Sequence, residues 1–406
     1  MPTDSYPSQI SPEEFTKLFN HACSLQENGD LAEALRIYNR LLNFLPGSHL
    51  LHFNCGLAHF DLQNFSKAES HYTNALADAA DDPDIHYNRG LNFRRLQKYE
   101  DAAISFEAAF AAGDTSVDTL YNLALCHQDL NNDIEAGRLY NIILSQDPSH
   151  QSSINNYAYL CHKSGDTKRA ASLYAQLLKL NPEHQAAQHM LCSVTGTTPD
   201  RAPLEYVESI FDNYAEDFEH SLVENLQYRT PEVLYDFFCE CIKKSSHKKC
   251  LDLGCGTGLA GERFKQCCDE LTGIDISQKM LKIADKKNLY DKLVKDDIIH
   301  FLQTSAEKYN LILAADVFTY MGDLETMFKE CGSASAPSAI LLFSVEEALD
   351  CRKGFELKST GRFGHSADYI KRLGEKTAWT VISHRRSKLR QEKGKWIMGY
   401  LYILQQ

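Results

Sequence analysis

A 34-residue period runs through the first half of the chain and constrains its fold more than any other feature. Three columns of the period hold, in order, a small residue, an alanine and an aromatic residue. Their members are Ala22, Gly56, Gly90, Ala124 and Ala158, then Ala34, Ala68, Ala102, Ala136 and Ala170, then Tyr38, Tyr72, Phe106, Tyr140 and Tyr174. Each period has room for two short amphipathic helices that approach closely at the small residues, while the ring fills the gap behind them. Since one such pair cannot bury its apolar face alone, the pattern predicts an all-α stacked solenoid.

The period resembles tetratricopeptide repeats, five of them over about residues 15–184, followed by a capping helix at 185–194. An asparagine stands two positions before each small residue: Asn20, Asn54, Asn88, Asn122 and Asn156. On the first helix of each pair this column faces the concave groove, where side-chain amides can bind a peptide backbone. The alternative is that asparagine serves the geometry of the repeat. We expect a repeat domain over residues 1–194 that binds a protein or peptide partner.

Charge and composition limit the partners, the cellular location and the metal sites that we expect. Residues 1–200 carry 24 acidic against 13 basic residues, which leaves 31 against 29 for the rest, so the repeat half should repel nucleic acid. A basic run over residues 385–395 is typical of a solvated hairpin or loop, and we expect no nucleic-acid partner. Without a signal peptide or an apolar span, we expect a cytoplasmic protein with no membrane contact. The thirteen cysteines lack zinc-site spacing, which predicts reduced thiols and no metal.

The segment TGTTPDRAPL, residues 195–204, breaks the period and reads as a linker to a second domain over residues 205–406. Two predicted helices, 204–220 and 230–244, precede short apolar runs that alternate with helical segments. This alternation predicts a parallel sheet with helices on both faces. The first apolar run ends in a glycine loop, Gly254-Cys-Gly256-Thr-Gly258, which falls where open sheets of this kind bind a nucleotide-like ligand.

The acids around this loop bear on the choice of ligand. Residues 256–261 also satisfy the dinucleotide fingerprint, so a nicotinamide or flavin enzyme is a rival interpretation. Asp252, two residues before the first glycine, favours the amino-acid end of a zwitterionic ligand and would repel a pyrophosphate. Asp275 can accept ribose hydroxyls from either ligand. Asp297, after Asp296 and before Ile298, suits an adenine amino group and ring.

These residues resemble the motifs of class I S-adenosylmethionine-dependent methyltransferases, namely LDLGCGTG, GIDIS, DDI and LILAADVFTY. The wider layout, with YVESIFDNYAEDFEHSL before the loop and GRFGHSADYI near the end, is similar to a bacterial family of repeat-containing methyltransferases. The resemblance implies an all-α tetratricopeptide solenoid followed by an α/β, Rossmann-like methyltransferase domain, with a mostly parallel sheet and helices on both faces. It also implies a cofactor, S-adenosyl-L-methionine, bound by Asp252, Gly254, Gly256, Gly258, Asp275, Ile276, Asp297, Ile298, Asp316, Tyr206 and Tyr214.

Several side chains are candidates for the remainder of the site. Tyr206, Phe211 and Tyr214 lie on the helix that forms a lid in such enzymes, although Phe211 and Tyr214 also fit the core of an amphipathic helix. Tyr320 follows the fourth strand, where relatives position substrate. His365 is a candidate base because its pKa suits neutral pH, and the alternative is an ordinary loop residue. The segment that holds His365 also carries, as residues expected to border the cleft, Arg362, Ser366 and Tyr369.

The class of methyl acceptor is limited only by a motif that the sequence lacks. An Asn-Pro-Pro-Tyr tetrapeptide does not follow the fourth strand, which has Asp316-Val-Phe-Thr instead; this argues against base amines and glutamine amides. An oxygen, carboxylate, carbon or other nitrogen acceptor is favoured, and a base is needed only if the nucleophile arrives protonated. We expect an active methyltransferase acting on a protein or a small molecule. A scaffold that binds the cofactor without turnover and a nicotinamide oxidoreductase are the alternatives.

Overall fold

A computed structural model of the chain describes residues 10–215, 218–219, 226–242, 247–348, 352–392 and 394–406. The chain divides into two compact units, Met1–Gln176 and Leu177–Gln406. Within the described ranges, every helix is too short or too polar to cross a bilayer.

Ten helices form five consecutive pairs in the repeat region. Their bounds are α1 (Pro12–Glu27), α2 (Leu31–Leu42), α3 (His49–Asp61), α4 (Phe65–Leu76), α5 (Pro83–Arg95), α6 (Tyr99–Ala111), α7 (Val117–Asp129), α8 (Asp133–Gln146), α9 (Gln151–Ser164) and α10 (Thr167–Leu180). The first helix of each of the five pairs begins at a side chain that accepts a backbone N–H of the first turn. These capping residues are Ser11, Ser48, Asp82, Ser116 and His150.

The three columns of the period are buried, and the small residues make room for the rings. The alanine column is fully inaccessible to solvent, and the aromatic column is at most 2% exposed. A Cβ atom added to Gly56 would stand 2.5 Å from Tyr72 Cε1, and one added to Gly90 would stand 2.7 Å from Phe106 Cε1. A small side chain is therefore needed opposite the ring of the same repeat. The predicted helical solenoid is confirmed.

A further column, which the sequence analysis does not single out, lies in the turn between the helices of each pair. Its members have positive φ angles between 58° and 88° and recur with the period: Gly29, Gln63, Gln97, Asn131 and Gly165. A left-handed residue reverses the chain in few steps, and it is cheapest for glycine or asparagine. The three amide residues show that the turn imposes this geometry even where glycine is absent.

The described part of the second unit before its sheet includes α11 (Gln185–Thr195), α12 (Leu204–Tyr214) and α13 (Thr230–Cys241). The predicted capping helix forms as α11, but the division of the chain falls before it, so it groups with the second unit. Its buried His189 has Nε2 2.8 Å from the carbonyl of Gly361 in that unit. The limits of the two functional domains, 1–194 and 205–406, stay predictions. The end of the helix predicted over 204–220 lies partly outside the described residues.

The predicted linker is bonded to the second unit along its length. The carbonyl of Asp200 accepts the N–H groups of Gly322 and Asp323, each at 2.8 Å. Ala202 donates its N–H to the carbonyl of Tyr320 at 2.9 Å. The hydroxyl of Thr198 accepts the N–H of Leu357 at 3.3 Å, so residues 198–202 form a fixed edge rather than a free connection.

The second unit contains a mixed sheet. Its strands are β1 (His247–Leu253), β2 (Cys268–Asp275), β3 (Lys292–Lys295), β4 (Tyr309–Ala314), β5 (Ser335–Glu347), β6 (Phe355–Leu357), β7 (Phe363–His365), β8 (Thr380–Glu392) and β9 (Lys395–Gln405). The helices between them are α14 (Leu259–Phe264), α15 (Gln278–Lys286), α16 (Ile298–Thr304), α17 (Glu325–Ser333) and α18 (Ala367–Lys376). Strands β3, β2, β1, β4 and β5 pair in that order and in parallel. Strand β9 runs antiparallel to both β5 and β8, and β7 pairs in parallel with the end of β5.

Alternation along the central strands buries both faces of the sheet. Leu311 and Leu313 of β4 belong to one hydrophobic core, whereas Ile312 and Ala314 belong to the other. This is the pattern of a parallel sheet covered by helices on both sides, and the predicted fold class is confirmed. Because β1 lies between β2 and β4, the chain changes direction across the sheet at the carboxyl end of β1, where open sheets form a ligand crevice.

Candidate active site

A cavity of about 1160 Å³, partly open to solvent, lies in this crevice. Its walls come from the glycine loop after β1, the ends of β2, β3 and β4, and residues of α12. Arg362 and Arg390 add the side near β5. The cavity therefore joins the carboxyl ends of the parallel strands, where open sheets of this kind bind ligands.

The glycine loop approaches the cavity with its backbone. Gly254, Gly256 and Gly258 have φ angles of 62°, 54° and 93°, a region that favours glycine. A Cβ atom on Gly254 would stand 2.7 Å from Val317, whereas one on Gly256 would meet nothing within 4 Å and would occupy the cavity. The loop thus leaves open space where a side chain would block a ligand.

Asp252 lies at the end of β1 with only 1% of its surface exposed. Its Oδ2 accepts a 2.7 Å hydrogen bond from the hydroxyl of Tyr290. Burial raises the pKa of Asp252 to about 7, and the nearby charge of Asp275 adds to the effect, although the bond from Tyr290 opposes it. Added Cβ atoms on Gly261 and Gly273 would stand 2.5 Å and 2.8 Å from the Tyr290 side chain, so both glycines make room for it.

Asp275 ends β2 and organises the neighbouring loops. Its Oδ2 accepts the N–H of Gly256 and its Oδ1 accepts the N–H of Ser277, both at 2.8 Å. Burial raises the pKa of Asp275 to about 6, against the lowering effect of these backbone donors. The Ser277 hydroxyl in turn donates to Asp212 of α12 at 2.5 Å. Two buried carboxylates therefore flank the loop, an arrangement that a cation or several hydroxyl donors would stabilise.

The end of β3 contributes a third acid. Asp297 begins α16, where its Oδ1 accepts the N–H of His300 at 3.2 Å. Its Oδ2 pairs with Nη2 of Arg201 at 2.8 Å, and Arg201 comes from the linker. Ile298 lines the cavity next to Asp297. The Nε atom of Arg201 is buried and has no hydrogen-bond partner among the described residues.

The side of the cavity near β4 and β5 holds an ion network. Asp316, at a positive φ of 59°, has its Oδ2 3.5 Å from Nη1 of Arg390, and its Oδ1 accepts the Ser344 hydroxyl at 3.0 Å. Arg390 also donates to Glu346 and, through Nε at 2.9 Å, to Glu392.

Two further cations complete this network. Arg362 donates through Nη1 to the same Oε1 atom of Glu392. Lys358 pairs with Oε2 of Glu346 at 3.1 Å. Arg362 and Arg390 line the cavity, whereas Lys358, Glu346 and Glu392 are absent from its described wall.

Comparison with known proteins identifies related domain families for both halves of the chain. A methyltransferase domain family matches residues 250–338, and tetratricopeptide repeat families match residues 19–83, 53–117, 87–151 and 153–186. The chain joins tetratricopeptide repeats to a methyltransferase domain. The resemblance drawn from the sequence is confirmed in both halves.

Individual relatives match only part of this chain. The ubiquinone biosynthesis O-methyltransferase of Haemophilus ducreyi is 28% identical over 109 residues, which cover 24% of this chain and 44% of that protein. The N-methyltransferase NodS from Bradyrhizobium japonicum, solved with S-adenosyl-L-homocysteine, is 21% identical, has a TM-score of 0.37 and covers 48% of this chain and 98% of NodS. The tetratricopeptide protein YrrB is 18% identical with a TM-score of 0.40, covering 45% of this chain and 98% of YrrB. The chain spans about half the length of the curated relatives it matches.

Most residues that the sequence analysis assigned to the site line the cavity of the methyltransferase domain. They are Asp252, Gly254, Gly256, Asp275, Ile276, Asp297, Ile298, Asp316 and Tyr320, together with Phe211 and Arg362. Phe211 and Tyr320 meet edge to face with ring centroids 5.5 Å apart. The roles of these residues stay predictions.

Six residues predicted to belong to the site or to border it do not line the cavity. His365 is fully buried on β7, with Nε2 3.0 Å from the carbonyl of Gly322, and burial lowers its pKa to about 4. Tyr206 packs on His189 and donates to the sulfur of Met190 at 3.4 Å. Gly258 begins α14, and Tyr214 is 55% exposed. Ser366 begins α18, and the hydroxyl of Tyr369 donates to Asp323 at 3.0 Å. We therefore carry none of the six into the chemistry.

Four residues of the site were missed by the sequence analysis or misplaced. Arg201 falls in the predicted linker, Tyr228 in a stretch without a motif, and Tyr290 after α15. Arg390 belongs to the basic run that we expected to be solvated, yet its side chain is 3% exposed. A hairpin of β8 and β9 does carry the run, as expected. Of these residues only Tyr290 lies near a recognised motif, since it follows α15, the helix after GIDIS.

The asparagine column is partly engaged within the repeats. Asn54, Asn88 and Asn122 donate Nδ2 to the carbonyl four residues earlier, at 2.8–2.9 Å. Asn122 also accepts from Arg94 at 3.0 Å, and Asn156 donates to the hydroxyls of two tyrosines. These bonds support the interpretation that asparagine serves repeat geometry, since a bound peptide would meet mainly the amide oxygens of Asn54 and Asn88 and the exposed amide of Asn20.

Proposed function

We propose that this protein transfers a methyl group from S-adenosyl-L-methionine to an acceptor bound in the cavity. The observation that carries the proposal is the pair of buried carboxylates, Asp252 and Asp275, on either side of a left-handed glycine loop at the switch point of the sheet. A pyrophosphate would meet Asp252 at the loop and be repelled, which weighs against a nicotinamide enzyme. The matched relatives include O-methyltransferases, and the activity of this chain follows them only as a proposal.

The residues present fit the proposed cofactor. Asp252 faces the amino group of the methionine part, and the open backbone at Gly256 admits it. Asp275 accepts ribose hydroxyls, while Ile298 and Asp297 meet the adenine ring and its amino group. When bound, the cofactor supplies an activated methyl group on a sulfonium, so these residues need only align it and exclude water.

The repeats are proposed to bind a protein or peptide. Tetratricopeptide arrays present a curved surface suited to this role, and the column of amides supports it in part. A cytoplasmic location belongs to the same proposal, supported by cysteine spacing that suits reduced thiols.

Calorimetry on the full chain tests cofactor binding. S-adenosylhomocysteine should bind in a single saturable step, and NAD should not compete. Asp275→Ala should weaken binding by about tenfold or more, because losing hydrogen bonds to a charged group costs about 1.5–3 kcal/mol. Asp285→Ala removes an exposed carboxylate from α15 and should bind as the parent does.

Each other result has a definite meaning. Unchanged affinity in Asp275→Ala would remove the ribose assignment. Competition by NAD would restore the oxidoreductase. Tight binding with no labelled product from methyl-labelled S-adenosylmethionine and a cell extract would leave a scaffold that binds the cofactor without turnover.

A further inference from the structure

The charged groups of the cavity differ between its two sides. Asp252, Asp275 and Asp297 gather at the ends of β1, β2 and β3, where the proposed cofactor lies. On the side of β4 and β5, two guanidinium groups meet one lining carboxylate, Asp316. Resting on the proposed function, we propose that the acceptor is a carboxylic acid, which Arg362 binds and which is methylated on its carboxylate oxygen.

The bonds of the two arginines separate their roles. Arg390 is 3% exposed and uses all three of its nitrogens on Asp316, Glu346 and Glu392, so it is bound within the network. Among the described residues, Arg362 pairs with a single carboxylate, Glu392, through Nη1, and it is also bonded to the phenol of Tyr320. A guanidinium carries five N–H donors in a planar fork. Arg362 therefore has donors left for a ligand, in a geometry that matches an oxyanion such as a carboxylate.

Glu392 does not neutralise Arg362 alone. The same Oε1 atom of Glu392 also accepts from Arg390 at 2.9 Å, so one carboxylate is shared between two cations. A second carboxylate at Arg362 would complete the pairing of that guanidinium. On the lining itself two guanidinium groups meet one carboxylate, which disfavours an amine or another cation there.

The side of the cavity near β4 and β5 also lacks a free general base among the described residues. Its described wall contains no histidine and no lysine, and His365 lies elsewhere with its ring against a backbone carbonyl. The phenol of Tyr228 is held neutral, because burial and the charge of Asp316 raise its pKa. Asp316 itself is occupied by Ser344 and Arg390.

A carboxylate acceptor needs no base. The bond from its oxygen to the methyl carbon forms as the bond from that carbon to sulfur breaks, and the electron pair stays on sulfur. The carboxylate loses its charge, the sulfonium loses its charge, and no proton is released. The apolar wall, which includes Val207, Phe211 and Met321, suits an acid with a hydrophobic body.

The chemical stability of the product tests this proposal. The full chain is incubated with methyl-labelled S-adenosylmethionine and an extract of cells, and the labelled product is treated with alkali. Methyl esters release labelled methanol, which is volatile, whereas methyl ethers and methylamines keep their label. We expect most of the transferred label to become volatile. Transferred label that survives alkali would overturn the carboxylate acceptor while leaving the methyltransferase proposal intact.

Separation of the extract distinguishes two sources of the same chemistry. Alkali-labile label in the soluble fraction indicates a free acid, and alkali-labile label in acid-precipitated protein indicates a carboxylate of a polypeptide. Either result supports the carboxylate. Absence of any labelled product would overturn both this inference and the proposed transfer, and calorimetry with S-adenosylhomocysteine then shows whether cofactor binding fails too.

A matched pair of variants assigns the role to Arg362. Arg362→Met removes the cation that lines the cavity, and Glu392 keeps its bond to Arg390. Arg386→Met removes an exposed cation that pairs with Glu347 of β5 at 2.8 Å, outside both the network and the described wall. We expect ester formation at low extract concentration to fall by about tenfold or more in Arg362→Met, because a bond between charged groups is lost. Arg386→Met should stay within about twofold of the parent.

If a substitution acted by disturbing the structure of the domain, the affinity for S-adenosylhomocysteine would fall as well. Both variants should bind S-adenosylhomocysteine as the parent does. An equal loss of ester formation in the two variants, or no loss in Arg362→Met, would overturn the assignment of Arg362.

Discussion

Replacement of Asp252 by asparagine should stabilise the cofactor-free protein at neutral and alkaline pH. Burial raises the pKa of this carboxyl from 3.8 to about 7. Between these values the folded protein holds a proton that the unfolded chain has lost, so the free energy of unfolding falls as pH rises and levels off above about pH 7. The full rise of the pKa corresponds to about 4 kcal/mol, as an upper value.

Asparagine removes the ionisation but keeps an oxygen that can accept the 2.7 Å bond from Tyr290. The unfolding free energy of the variant, measured relative to that of the parent, should therefore increase as pH rises. From the same pKa values, the difference in unfolding free energy should grow by about 3 kcal/mol between pH 5 and pH 8, since about 1.4 kcal/mol corresponds to each pH unit in that interval up to the folded pKa.

The chain provides its own reporter for this measurement. Its two tryptophans, Trp379 and Trp396, both lie in the second unit, so their fluorescence during urea unfolding follows that unit and not the repeats. Asp285→Asn, at an exposed carboxylate of α15, is the matched control. A difference for Asp252→Asn that stays flat from pH 5 to pH 8 would refute the argument. Saturating S-adenosylhomocysteine should reverse the ranking, because its ammonium group favours the ionised carboxylate.

Two substitutions of glycine test the packing. Gly261→Ala places a Cβ 2.5 Å from the hydroxyl of Tyr290 and should lower the unfolding free energy of the second unit by about 1–3 kcal/mol. The tryptophan fluorescence should then change at a lower urea concentration than in the parent. An unchanged midpoint would contradict the contact. Gly90→Ala places a Cβ 2.7 Å from the ring of Phe106 and should lower the thermal midpoint of the helical circular-dichroism signal. The control Gly137→Ala, also helical but 3.4 Å from its nearest neighbour, should be neutral or slightly stabilising, and equal effects of the two would count against a clash at Gly90.

The parts of the structure that could be predicted are those fixed by local patterns. The columns of the repeat follow from packing between neighbours 16 residues apart, such as Gly56 and Tyr72, so a fixed period exposes them. The glycine loop, Asp252 and Asp275 stand at set distances from strand ends, which makes them readable as a motif. The left-handed turn at Gln63 or Gln97 could not be predicted, because nothing in a glutamine side chain demands a positive φ.

Other site residues depend on contacts between distant segments. Tyr290 reaches Asp252 across 38 positions and fits only because two glycines leave room. Arg390 lies next to Leu389, and both are buried because the pairing of β8 with β9 shifts register between Lys388 and Arg390. Such a bulge turns two consecutive side chains inward, which a simple alternation of charge and exposure cannot anticipate. His365 was expected to border the cavity, but it lies on β7 and is fully buried. Nothing in the sequence around it indicates this short strand.

The bonded linker decides where the chain can be cut. A fragment that starts at residue 205, where the sequence predicts the second domain to begin, would lose Arg201 and with it the partner of Asp297. It would also leave the N–H groups of Gly322 and Asp323 without the carbonyl of Asp200, and the carbonyl of Gly361 without His189. If such a fragment failed to transfer methyl groups, the damage at the cavity rim would be mistaken for a requirement for the repeats. Fragments that begin near residue 177 keep these bonds and give deletion experiments an unambiguous reading.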